Sequence, residues 1–424
     1  MYKLSHGVAL LALMGSLTAH AEQTATDQQW TWPCTPPDQA PAPSASQEDF
    51  DRYSWQLFIA LNRPAKSAQR GQPDCDQPID ARQPSVWQTY KTIDQIFLPD
   101  AADPGPWEKG GPDTRLSLIN IPVLKNTGVI GFVDQAVGGW LIDQRGNPTY
   151  YSIHTNQVAY DYVVKQKLYN AEVVSQAQEI RFPETAATVK ASWRVLTKQD
   201  DASRYLTMEA QVETFDDKGQ PTGKTTAATL GLTGLHIATK AKGYPQWVWS
   251  TFEHLDNVPP KENVDGRWVD KPAKGVFYSY FNDKASAMNL NHAACLWQQR
   301  DNQLVCVPKE GVTITTPDPL NRVLPLAAET QKVNAVAQRN LTQTVFRHYQ
   351  LVATQRASIP DHAEDPLGQP VPALAANVTM ESYTQATSSC MGCHAMATLA
   401  KSDTKSDFSF LFKSAQKPMG KDKK

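Results

Sequence analysis

Cys390, Cys393 and His394 stand at C-x-x-C-H spacing. Helix residues three and four apart share one face. Two sulfurs can therefore reach one flat partner, with the imidazole of His394 presented beside them. That spacing suits two thioethers to the vinyl groups of a porphyrin and one nitrogen on its iron, the attachment of a c-type haem. Two other chemistries use the same residue types. A structural zinc takes four ligands, usually from two such clusters, and no second C-x-x-C occurs. A redox dithiol of thioredoxin type belongs in a βαβ setting, which the flanking residues do not suggest. One covalent haem is the expectation, with thioethers at Cys390 and Cys393 and His394 as proximal iron ligand.

The sixth position on the iron decides what such a site does. A methionine or histidine there gives a closed electron-transfer centre, whereas an open position admits oxygen, peroxide or nitric oxide. Met391 and Met396 lie too close to the proximal turn to reach round a porphyrin. Met419, Met380, His348 and His362 remain as candidates. His236, Glu253 and His254 suggest a metal site on a hairpin running from 228 to 254. A turn centred on Gly243 would set His236 opposite Ser250, with His254 four residues further along the same face. That is roughly 13 Å, too far for one metal ion. Trp247 and Trp249 would then line the opposite face. No serine-hydrolase elbow, His-Glu-x-x-His helix or paired-carboxylate pattern appears, so no catalytic residue is assigned.

The elements around these residues read mainly as strands. Ser46 and Asp49 form a capping box for a helix whose face carries Phe50, Tyr53, Leu57 and Leu61, widened by Trp55 and Phe58 and ending before Pro64. Segments 129–133, 139–142, 149–153, 189–196, 205–212, 228–240, 246–254 and 275–281 carry β signals. Asn156 caps one helix among them. Pro325 suits the first position of a later helix through Val333, Val336, Leu341 and Val345. Ser388 and Ser389 offer a cap for a helix through the C-x-x-C-H run and on to Ala400. Phe408, Leu411 and Phe412 share helical spacing after it and suit packing either on the porphyrin or on the β body. These signals predict an α+β, mainly β chain: an antiparallel β-sandwich or barrel-like body with a helical C-terminal cytochrome c-like haem segment. The expected divisions are 1–21 signal peptide, 22–115 arm, helix and loops, 116–315 β-rich body and 316–424 helical haem-binding segment.

Composition places the chain. A basic start, an apolar run from Val8 to Leu17 and the Ala19-His20-Ala21 site read as a secretory signal, too short to span a bilayer. The expected location is the periplasm, with no transmembrane segment after cleavage. Four further cysteines fit an oxidising compartment, and the expected disulfides are Cys34–Cys75 and Cys295–Cys306, the latter across a hairpin turning at Arg300-Asp301-Asn302. A net charge of −2 over 424 residues speaks against nucleic acid as partner.

The C-x-x-C-H run resembles the cytochrome c superfamily. That resemblance covers about the last forty residues and implies thioether roles for Cys390 and Cys393 and iron ligation by His394. The small soluble members carry the motif near the start of their domain, whereas here it stands late. Over its whole length the chain resembles large exported single-haem cytochromes of proteobacteria. The likeness rests on runs at 53–62 (with Tyr53, Trp55 and Phe58), at 247–254 (with Trp247, Trp249 and His254) and at 380–385 (with Met380, Tyr383 and Gln385). That wider likeness brings no known substrate, and the expected function is a periplasmic c-type cytochrome passing electrons to a redox partner protein. The alternatives are a peroxidase or oxygenase with an open distal site and a redox- or gas-sensing binding protein.

Overall fold

The computed structural model describes residues 29–80, 83–110, 117–118, 139–217, 221–293, 295–300, 303–360, 369–399 and 403–419. The expected signal peptide, the strand at 129–133 and the candidate ligand His362 lie outside them. Strands run β1 (Lys91–Thr92), β2 (Ser117–Leu118), β3 (Tyr150–Thr155), β4 (Ala187–Val195), β5 (Thr207–Phe215), β6 (Pro221–Thr239), β7 (Val248–His254), β8 (Lys261–Val264), β9 (Arg267–Asp270), β10 (Cys295–Arg300), β11 (Gln303–Pro308), β12 (Tyr349–Ala357) and β13 (Pro370–Val371). The α-helices are α1 (Gln47–Asn62), α2 (Ile93–Ile96), α3 (Gln157–Lys165), α4 (Ala171–Gln176), α5 (Ala328–Asn340) and α6 (Cys390–His394).

The chain is mainly antiparallel β, as its alternating runs imply. Among the described residues nine strands form one sheet along the path β1-β3-β4-β6-β7-β12-β13, with β5 on β6 and β2 on β5. Strand β6 is its spine. Gly231 pairs with Arg194 of β4 and with Thr207 of β5, and Gly234 pairs with Ser192 of β4 and with Glu253 of β7. Strands β5 and β7 therefore follow one another along the same edge of β6. Pairs β8–β9 and β10–β11 stand apart as two-stranded hairpins. The expected divisions share this sheet: β12, from 316–424, pairs with β7, and β1, from 22–115, pairs with β3.

Helices cover one face. Ser46 caps α1 in a reciprocal box with Asp49, and Pro64 ends it by disfavouring helical geometry at Arg63. Ser54 of α1 bonds Ser250 and Thr354 at 2.7 Å each, and Phe58 stacks on Phe252 with centroids 4.3 Å apart. Helix α5 locks α1 to β12: Asn334 accepts from Trp55 Nε1 and from Leu351 N, both at 2.9 Å, and donates to the Leu351 carbonyl. This helix begins at Ala328 instead of Pro325 and ends at Asn340, short of Val345, which starts a separate turn.

Four local expectations change. Segment 139–142 is no strand, since only Ile142 pairs, in a single bridge to Pro148. Segment 275–281 is no strand; Ser279 N and Tyr280 N bond to the carbonyls of Asp256 and Asn257, which hold it as a loop against that turn. The helix through the C-x-x-C-H run stops at His394, because its last turn tightens to Ala397 N→His394 O before Thr398 pairs with Lys405. The β10–β11 hairpin forms, but in a register that sets Cys295 opposite Pro308 and Cys306 opposite Trp297, so the two cysteines lie on a diagonal. Their side chains lie outside those described. Cys34 and Cys75 are bridged, with Cα atoms 5.7 Å apart.

Candidate cofactor site

The β6–β7 turn holds one residue more than a turn centred on Gly243 allows. Trp247 takes a left-handed conformation (φ 68°), and His236 consequently faces Thr251. A slip of one residue exchanges the faces of a strand. Lys190, His236, Trp249, Thr251, Ala353 and Gln355 therefore share the face away from α1, whereas His254 belongs to the other. This corrects the arrangement expected for His236, His254 and Trp249.

The segment after β13 lies on that free face. Asn377 donates to Thr251 Oγ1 and to the Phe252 carbonyl. Thr379 Oγ1 bonds Ser192 Oγ at 2.7 Å, and its carbonyl accepts from Tyr151 Oη. Gly234 makes this approach possible, since a Cβ there would stand 2.5 Å from Thr379 Oγ1 and 2.6 Å from Ser192 Oγ. Gln355 of β12 then holds the start of α6: its Oε1 accepts from Met391 N at 2.8 Å and from Ser389 Oγ at 3.2 Å. Ser389 caps Gly392 N, as expected.

His394 is fixed by one hydrogen bond and by ring contacts. Its Nδ1 lies 2.7 Å from the carbonyl oxygen of Phe408. A carbonyl only accepts, so Nδ1 carries the proton and Nε2 keeps its lone pair. Rings of Trp249 and Phe410 lie 4.4 and 5.2 Å away. Burial lowers the imidazole pKa to about 4, against the opposing pull of the Phe408 bond. Asp407 and Phe408 both adopt left-handed backbone (φ 50° and 61°). They are held there because Asp407 accepts from Lys240 Nζ at 2.6 and 2.7 Å and from Phe182 N at 2.7 Å. Local strain of this kind persists where its surroundings over-determine it. A cleft of about 570 Å3 borders the same loop between Arg181, Lys240, Tyr244 and Lys405.

Cys390 and Cys393 are half-buried and unbridged. Burial pushes both thiols up, and the Glu381 carboxylate adds to this; Lys190 and Lys413 oppose it at Cys393. A reactive dithiol needs the opposite field, one that favours thiolate. Among the described residues no three His, Cys, Asp or Glu side chains converge as metal ligands, and structural zinc needs four. The donor set fits two thioethers and one imidazole better than either rival.

Charged side chains complete the surroundings. Lys190 pairs with His236 across β4 and β6, and Glu381 Oε2 lies 3.5 Å from His236 Nε2. Burial alone would raise the Glu381 carboxyl, but His236, the Asn377 amide and Lys190 hold it below the ordinary range. Lys190 is lowered by burial and partly restored by Glu381.

The candidate distal ligands scatter. Met380 is buried among Leu141, Tyr151, Val258, Tyr280, Leu320 and Val378. Met419 is 75% exposed. His348 precedes β12 against His254, ring centroids 6.2 Å apart. Seven steps along the strand separate it from Gln355, on the order of 20 Å. Sequence reasoning missed Lys190, Trp249, Gln355 and Glu381 as neighbours of the motif, and the parity of β6 and β7 was the signal that could have found Trp249; Phe408 was named as an aromatic beside the haem, but not for its carbonyl. Comparison with protein-family models, with curated proteins and with solved structures found no match. Among the described residues no helix is long and apolar enough to cross a membrane.

Proposed function

We propose that the chain is a periplasmic c-type cytochrome that carries one haem on Cys390 and Cys393 and passes electrons to a partner protein. The C-terminal segment would be its cytochrome c-like part, laid on one face of the β body. The single observation that carries this reading is the His394–Phe408 hydrogen bond. Metal-bound histidines characteristically donate their second ring N–H to a carbonyl or carboxylate, which fixes the tautomer and the ring plane. Here that bond leaves Nε2 free to ligate, and His394 makes no other hydrogen bond among the described residues.

A haem held there would supply a one-electron iron couple. The chain's residues do the rest. Ser389 and Gln355 hold the turn that sets the two thiols on one side. Cys390 and Cys393, both free of any disulfide, would hold the haem covalently through its two vinyl groups. Trp249 and Phe410 pack against the imidazole. No general acid or base is assigned, which leaves electron transfer as the simplest use.

Intact-mass analysis of protein produced in a host able to attach haem tests the reading. One added haem is expected in the wild type and none in Cys390→Ala/Cys393→Ala. A wild-type mass equal to the bare chain would sink it.

A further inference from the structure

We propose that His236 takes up a proton when the haem iron takes up an electron, so that the ion-paired cluster of Lys190, His236 and Glu381 makes the potential depend on pH; this rests on the reading above. The sheet register brings cluster and motif together. One row of cross-strand partners runs Gln355, Trp249 and Ala238, and the next runs Ala353, Thr251, His236 and Lys190. The first row carries the motif, since Gln355 holds the start of α6 and the Trp249 ring lies 4.4 Å from His394. The second carries the charges. Neighbouring rows on one face stand about 7 Å apart, within the reach of a unit charge in a half-buried setting. His236, Lys190 and Glu381 all act electrostatically on His394.

Opposed charges meet at the His236 ring. Glu381 Oε2 lies 3.5 Å from Nε2 and is anchored by Asn377 N at 2.8 Å, which favours the charged imidazole. Lys190, its partner across β4 and β6, disfavours it. The other titratable groups about the cluster are Cys390, Cys393 and His394 of α6, Lys413 beside Cys393, and Tyr151, whose ring lies 5.6 Å from Lys190 Nζ. Burial keeps both thiols and the phenol protonated, and His394 holds its proton on Nδ1. His236, Asn377 and Lys190 keep Glu381 a carboxylate. Imidazole is the side chain whose charge ordinarily changes between pH 5 and 8, so His236 is the member that titrates there. Ferric haem carries one more positive charge than ferrous haem, and like charge disfavours a protonated imidazole. On reduction the electron comes from the partner protein and stays on iron, while the proton comes from water and is held on Nε2 facing Glu381. The midpoint potential therefore falls as pH rises through the window in which only the reduced form keeps that proton, and is level on either side. The steepest fall is about 59 mV per pH unit, a tenfold change in proton activity for one electron.

Redox titration of the haem-loaded protein across roughly pH 5 to 8 tests this, with proton uptake on reduction followed by an indicator dye in weak buffer. Wild type should show the sloping window and take up protons within it, and His236→Gln should do neither. Glu381→Gln should move the window to lower pH and Lys190→Met to higher pH, because the two remove opposite charges. Those shifts decide the matter even where His236→Gln fails to fold. A level wild-type potential overturns the proposal. So does a slope that survives His236→Gln, one that vanishes in Lys190→Met, or one that moves the same way in the Glu381 and Lys190 variants. A wild type without haem by mass overturns the parent reading and this one with it, and that mass tells the two failures apart.

Discussion

The ring of His394 and the main-chain oxygen of Phe408 are joined across fourteen residues by one hydrogen bond of 2.7 Å. The oxygen is aimed by a loop whose two left-handed residues are pinned by an ion pair, so the imidazole's orientation depends on Lys240 and Asp407.

Removing the pin should therefore be costly. Asp407→Ala leaves the nearly buried Lys240 unpaired, an effect worth roughly 3–5 kcal/mol. Urea unfolding should show that loss, and Lys240→Met combined with Asp407→Leu should recover part of it. Equal stability of the single and double variants would contradict the coupling.

The approach of the C-terminal segment to β6 depends on a missing side chain. Gly234→Ala places a methyl group within 2.6 Å of two hydroxyl oxygens. Overpacking of this sort costs about 1–3 kcal/mol. Limited proteolysis should cut the variant faster around 377–381, and an unchanged cutting pattern would show that the strip tolerates the methyl.

Two buried histidines predict acid lability. Burial lowers His154 and His254 from 6.5 to about 4. His254 is fixed as neutral, since its Nδ1 accepts from Asp256 N and its Nε2 lies 2.9 Å from the Arg204 carbonyl. Between those two values the unfolded chain binds protons that the native fold refuses. Their contribution is full above pH 6.5 and is lost as the pH falls to 4, about 3 kcal/mol for each. His254→Gln should be less stable than wild type at pH 7, with the gap closing by about that amount at pH 4. A constant gap across that range would mean that His254 does not resist protonation.

The Cys34–Cys75 bridge closes a loop of 41 residues. In the chain-entropy limit its removal costs about 4 kcal/mol. The Cys34→Ser/Cys75→Ser protein should unfold at correspondingly lower urea, and reductant should then have no further effect on that loop.

What the sequence disclosed follows the range of the interactions involved. The α1 capping box, the Ser389 cap and the C-x-x-C-H turn are set by residues within four of one another, and all were legible. So was the run of strands, because alternation is local. The faces of β6 and β7 were not. They turn on one extra residue at a bend where Trp247 adopts a conformation that a tryptophan gives no warning of. That slip hid the company of His236 and Trp249. The role of Phe408 was hidden for another reason: its ring was legible as an aromatic near the motif, but it contributes through its carbonyl, and a main-chain oxygen has no signature in the sequence. The helix expected through Ala400 failed because Lys405 draws Thr398 into a bridge that local propensity does not contain.

Helix α1 has a kinetic implication. Trp55 bonds Asn334 across 279 residues, and Trp30 bonds Asn340 across 310. An early-synthesised apolar helix thus finds its shelter only when the last quarter of the polypeptide is available. Closing so long a span precedes any reward from the contacts, so maturation should be slow and should require nearly the whole polypeptide.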